Sequence, residues 1–111
     1  ALLRVGRRDH ALIMLEQMNN RRPSFDTAAM LGSALLKDQQ WQRALPYLEQ
    51  AHELNPQNTT VLNKLGACHI AMYKRSAEPQ SRDAALDVWR QSLAINPDQP
   101  AIRRLIDALT R

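Results

Sequence analysis

The sequence predicts an all-α fold, a solenoid of antiparallel helix hairpins stacked along one axis, and three observations predict it. The first is internal repetition. Leu31-Gly32 returns 34 residues later as Leu65-Gly66, and Ala44, Leu45, Leu48, Leu54, Asn55 and Pro56 return 41 residues later as Ala85, Leu86, Trp89, Ile95, Asn96 and Pro97. Stepping back 33 residues gives Ala11, Leu12, Leu15 and Pro23. A period of this length marks a repeated pair of elements that buries its apolar face against the next copy. The second observation is that apolar residues inside each copy fall three and four apart, the helical spacing. The third is composition: with 44% hydrophobic residues but only 5% aromatics and three glycines, the core must come from Leu, Ala, Ile and Met on helices rather than from β-branched strands.

Residues 1–24 read as a partial repeat. Residues 1–6 look like the tail of one helix, with Gly6 suited to the left-handed turn that ends it. Leu2, Leu3 and Gly6 align with Leu35, Leu36 and Gln39 at the 33-residue offset, so the sequence reads as opening inside a repeat, a piece of a longer array. A second helix from about Arg8 to Met18 carries Ala11, Leu12, Leu15 and Met18 on one face, and Pro23 stops it.

Residues 25–58 form a full repeat. Ser24 is the expected N-cap, Asp26 sits in the first turn where the helix dipole favours an anion, and the helix should reach Lys37 with Met30, Leu31, Ala34 and Leu35 as its packing face. Gly32 has no Cβ and lets the paired helix come close. That partner runs from Trp41 to Leu54, with Pro46 tolerated near its start and Ala44, Leu45, Leu48 and Ala51 facing inward.

Residues 59–99 form a second full repeat, seven residues longer than the first. Asn58 or Thr59 should cap a helix to Tyr73 or Arg75, with Leu62, Leu65, Cys68 and Met72 inside. The excess falls around Lys74–Gln80, either as an insertion at the hairpin tip or as helices lengthened by about a turn. Pro79 or Ser81 then starts the helix of Ala85, Leu86, Trp89, Leu93 and Ile95. Residues 100–111 give a capping helix or the start of a further repeat, with Ile102, Leu105, Ile106 and Leu109 on one face and Asp107 where Gly32 and Gly66 would recur.

The chemistry-bearing residues assemble no site of known spacing. His10, His52 and His69 stand alone, so no metal is expected, and Cys68 excludes an internal disulfide and reads as a buried, inert thiol. Asp83 and Asp87 form the one i, i+4 acidic pair singled out, near the start of their helix where the dipole favours them. No phosphate loop, Ser/His/Asp set or His-Glu-x-x-His is present, so neither enzyme activity nor a cofactor is expected. Net charge is +4, but 15 basic residues are dispersed among 11 acidic ones, in pairs such as Arg7-Arg8, Arg21-Arg22, Lys74-Arg75 and Arg103-Arg104. Solvated helix faces account for this better than a nucleic-acid stripe does. No run approaches the ~20 apolar residues that span a bilayer, and the apolar start is too short for a signal peptide.

The small residue at fixed places in each helix, the closing Pro and their repetition resemble the tetratricopeptide repeat (TPR), whose pattern is Trp-x2-Leu-Gly-x2-Tyr, then Ala-x3-Phe, then Pro. Ala28 and Leu62 replace the Trp, and Leu35 and His69 the Tyr, which changes apolar volume more than architecture. The resemblance implies a TPR-type right-handed superhelix in which the first helix of each hairpin lines a concave groove. Carried over by position, the lining residues are Asp26, Ala29, Ser33, Leu36 and Lys37, then Thr60, Asn63, Ala67 and Ile70. Family members that clamp a C-terminal carboxylate use Lys and Asn where this chain has Ala29 and Ser33, so no such clamp is expected.

Function follows from the resemblance rather than from chemistry. It implies a protein–protein interaction scaffold that holds a partner protein or peptide in the groove. Similar long arrays occur in bacterial envelope machinery, including periplasmic scaffolds of exopolysaccharide exporters, which suggests polysaccharide or protein secretion. A cytoplasmic secretion or assembly chaperone is the alternative within the class. Nucleic-acid binding through the scattered Arg and Lys, particularly Lys74 to Arg82, is the rival from another class, and self-association through the insertion or the open ends is a third.

Overall fold

In the computed structural model, which describes residues 2–111, with side chains from Asp9 onward, six helices follow one another. They are α1 (Leu2–Arg21), α2 (Phe25–Lys37), α3 (Trp41–Leu54), α4 (Thr59–Ser76), α5 (Pro79–Ile95) and α6 (Pro100–Thr110). α2 pairs with α3 and α4 with α5 as hairpins, α3 joins the two hairpins through α4, and α1 and α6 flank the stack. The result is an all-α solenoid of antiparallel hairpins, 44 × 28 × 22 Å.

Caps explain most of the boundaries. Ser24 has extended backbone, and its side chain accepts the Thr27 N–H at 3.1 Å. Asn58 does the same for Val61 at 3.0 Å. Both satisfy a first-turn donor that no helical carbonyl can reach. Pro79 and Pro100 open α5 and α6 in the first turn, where a missing N–H is harmless.

Each hairpin closes over its glycine. A Cβ on Gly32 would stand 2.6 Å from the Leu48 side chain of α3, and one on Gly66 would stand 1.9 Å from Trp89 Nε1 of α5. Leu31, Leu35, Ala44, Leu48, Ala51, Val61, Leu62, Leu65 and Cys68 form one continuous core with Leu12, and a smaller cluster of Ala85, Trp89 and Ile102 holds α6.

Four expectations need correction. Gly6 ends no helix: α1 runs unbroken from Leu2 to Arg21, since a lone glycine costs a helix only about 1 kcal/mol. Ala1, and the side chains of Leu2 and Leu3 in the proposed alignment, lie outside the described residues. Met30 points outward, 56% exposed, because α2 buries Ala28, Leu31, Gly32 and Leu35 instead. Leu105 on α6 is likewise exposed, at 44%, leaving Ile102 as that helix's buried anchor.

On α1 the inward face is Leu12, Leu15 and Asn19 rather than Ala11 and Met18. Asn19 is buried and donates to Gln50 Oε1 at 2.6 Å, while Arg43 binds Glu16 at 2.6 Å, so α1 is held to α3 by polar contacts.

The seven-residue excess is helix, not loop. α4 has 18 residues against 13 in α2, α5 has 17 against 14 in α3, and the turn between them is one residue shorter. The tip is only Ala77-Glu78, with Ala77 in the left-handed region at φ 57°.

Candidate functional site

The lengthened α4 builds a groove. Over its solvent face, Ala67, Ile70 and Ala71 line an open cavity of about 450 Å³. Trp41, at the start of α3, borders it, as do Leu105 of α6 and the buried Trp89 of α5. Lys74 and Arg75, in the turns that α4 has beyond α2, are exposed at the rim. The lining is mainly hydrocarbon with two cations and no carboxylate.

Secondary structure fixes these positions. Residues 67, 70, 71 and 74 recur at three and four along α4 and therefore share one face. Trp41 is placed by its own backbone: its carbonyl accepts the Cys68 thiol at 3.0 Å, and its ring lies under the Arg75 guanidinium, 5.9 Å from the centroid, a cation–π distance. Trp89 is locked as well, with Nε1 donating to the Asn63 carbonyl at 3.2 Å.

The residues expected to line a groove divide into three groups. Ala67 and Ile70 share the cavity just described. Ser33 and Asn63 are occupied within the chain. Lys64 Nζ donates to Ser33 Oγ at 2.6 Å, tying α4 to α2, and Asn63 Nδ2 donates to Gln99 Oε1 at 2.8 Å. Gln99 in turn donates to the Ser92 and Asn96 carbonyls at 3.1 and 2.8 Å, so Asn63 belongs to a network that seats α6. Ala29 and Leu36 pack partly against the core, while Asp26, Lys37 and Thr60 are exposed. Sequence reasoning missed Trp41, Ala71, Lys74, Arg75 and Leu105 as lining. The signal available was Ala67, Ile70, Ala71 and Lys74 at helical spacing, continued into the extra turns.

Burial beneath the groove shifts two titratable groups. Burial pushes the Cys68 thiol up to about 11, with Glu49 adding to the shift, so it stays protonated and unreactive near neutral pH. Burial lowers the pKa of His69, opposed by Glu49. Among the described residues no group of three or more His, Cys, Asp or Glu could hold a metal ion, and no helix is long and apolar enough to cross a membrane.

Comparison with known proteins agrees with this architecture. A tetratricopeptide repeat model matches residues 35–78, and no curated protein matches the chain in sequence. Among solved structures, MamA AMB-1 superposes with TM-score 0.80 at 24% identity over 96% of this chain and 55% of its own. MamA MSR-1 gives 0.74 at 26% over 96% and 58%. MamA from Desulfovibrio magneticus RS-1 gives 0.76 at 18% over 97% and 58%. The chain thus spans little more than half the length of these relatives. The glycine-sealed hairpins, their stacking and the match over residues 35–78 accord: that stretch matches a tetratricopeptide repeat, and the chain has the helical-solenoid fold of these structures.

Proposed function

We propose that the chain is a segment of a protein–protein interaction scaffold and that it binds an extended segment of a partner protein in the groove over α4. The observation that carries this reading is the groove itself: a concave, largely apolar surface on a helix stave, with a few polar groups at its edge. Such surfaces suit recognition of a peptide side chain more than turnover of a substrate. Thr60, Asp26 and Lys37 extend the surface along the staves, whereas Ser33 and Asn63 act mainly in holding the staves in register.

A role in bacterial polysaccharide or protein secretion is the narrower form of this proposal and rests on family resemblance. Nucleic acid is disfavoured as ligand because single-strand readers need free aromatic faces. Here Trp89 is buried and Trp41 lies beneath Arg75. Selection from a random peptide library displayed on phage tests the reading. Peptides that bind should lose at least about tenfold in affinity to Ile70→Lys, which places a charge in the apolar floor. Peptides that bind the variant as tightly would place the surface elsewhere.

A further inference from the structure

The two ends of the groove differ in chemistry, and the difference defines an occupant. At one end Ile70, Leu105 and the edge of Trp89 offer hydrocarbon. At the other stand Lys74 and Arg75, both on turns that α4 has and α2 lacks. Among the described residues neither cation meets a carboxylate: Arg75 lies over the Trp41 ring, and Lys74 makes no hydrogen bond or ion pair. The lining contains no acidic residue to neutralise them.

We propose that the groove selects a peptide segment in which a bulky apolar side chain stands next to acidic residues. The apolar side chain seats against Ile70 and Leu105, and the carboxylates meet Lys74 and Arg75. The proposal rests on the groove reading above and adds the partner's chemistry to it. The recognition concerns side-chain carboxylates within a chain. It therefore differs from a clamp on a C-terminus, whose positions here hold Ala29 and Ser33. Two unpaired cations on one rim attract acidic segments and repel basic ones, which supplies discrimination that the hydrocarbon floor lacks. The extra turns of α4 thereby gain a use: they carry the charged end of the site past the end of the preceding hairpin.

The chain provides its own reporter, because its two tryptophans, Trp41 and Trp89, both border the groove. The experiment titrates the protein with three acetylated, amidated hexapeptides: Gly-Leu-Phe-Asp-Glu-Gly, the same with Asn-Gln for Asp-Glu, and the same with Ala-Ala for Leu-Phe. A short oligothymidine serves as competitor, and tryptophan emission is followed. Only the first peptide should give a saturable change. Its affinity should fall about tenfold in the Lys74→Gln/Arg75→Gln variant, the scale of one charge-assisted hydrogen bond, and severalfold between low and moderate salt.

Equal binding of the amide peptide, with affinity still lost in Ile70→Lys, overturns the acidic preference and leaves the groove standing. Binding of the acidic peptide that neither Ile70→Lys nor the double variant weakens overturns both. Absence of any peptide response, or tighter binding by oligothymidine, overturns this proposal. Lys74 and Arg75 are exposed, and unchanged helical circular dichroism of the double variant separates lost binding from lost fold.

Discussion

Gly66 lies against the indole of Trp89, and the contact is close enough to reverse the usual ranking of helix formers. Alanine is normally favoured over glycine inside a helix by about 0.5–1 kcal/mol. Its Cβ here would stand 1.9 Å from Nε1 of a ring that is buried and hydrogen-bonded to the Asn63 carbonyl. Overpacking of a fixed core group costs about 1–3 kcal/mol, so Gly66→Ala is expected to destabilise. Gly32→Ala should cost less, because it meets the more adaptable Leu48 side chain at 2.6 Å. Urea denaturation of both variants checks the order.

Cys68 gives a second prediction. Its thiol has a folded pKa of about 11, raised from 9.0. The folded state therefore favours the protonated form, and this contribution to stability is complete below about pH 9 and is lost as pH rises through 11. Over that window the wild type should lose stability more steeply than Cys68→Ala, measured by denaturation at each pH. A thiol reagent at neutral pH should label the native protein only as fast as it opens.

At the scale of elements, the hairpin tips and the last helix are the informative places. Ala77 adopts a left-handed conformation, φ 57°, in closing α4, which costs an L-residue about 1–2 kcal/mol. Ala77→Gly removes that cost, offset in part by the greater freedom of the unfolded chain. A net gain of roughly 0.5–1 kcal/mol is expected, seen as a higher thermal midpoint. α6 has one buried residue, Ile102, and depends on Gln99 for its seat. Gln99→Ala leaves the Asn63 amide without that partner, which costs about 1–3 kcal/mol where the group stays buried. Amide exchange should show α6 opening first, ahead of α4.

The boundaries of α2 and α3 were readable to the residue because Ser24 is a strong cap and the hairpin repeats elsewhere in the chain. The tip of the second hairpin was readable only as a length. Seven surplus residues can be loop or helix, and no spacing in residues 74–80 distinguishes the two; the structure has them almost entirely as helix. The sites divide the same way. Ala67 and Ile70 could be placed by register, but the ties of Ser33 to Lys64 and Asn63 to Gln99 span 31 and 36 residues, and no local pattern announces them. Trp41 and Arg75 meet across hairpins of unequal length, where the repeat ruler fails.

For the whole molecule, stability comes from neighbour-to-neighbour packing, as in other stacked repeats. On α1 the positions matching the fully buried Ala44, Leu48 and Ala51 are Ala11, Leu15 and Met18, and Met18 is 56% exposed. The groove over α4 lies in the middle of the stack, with Leu105 of α6 at its border. The measurement that tests its role most directly is an NMR titration of the 15N-labelled chain with a library-selected peptide. The account predicts saturable shifts concentrated at Ala67, Ile70, Ala71, Lys74, Arg75 and the Trp41 indole N–H. Shifts confined to α1 or the outer face of α5, or a library that yields no binding peptide, would contradict it.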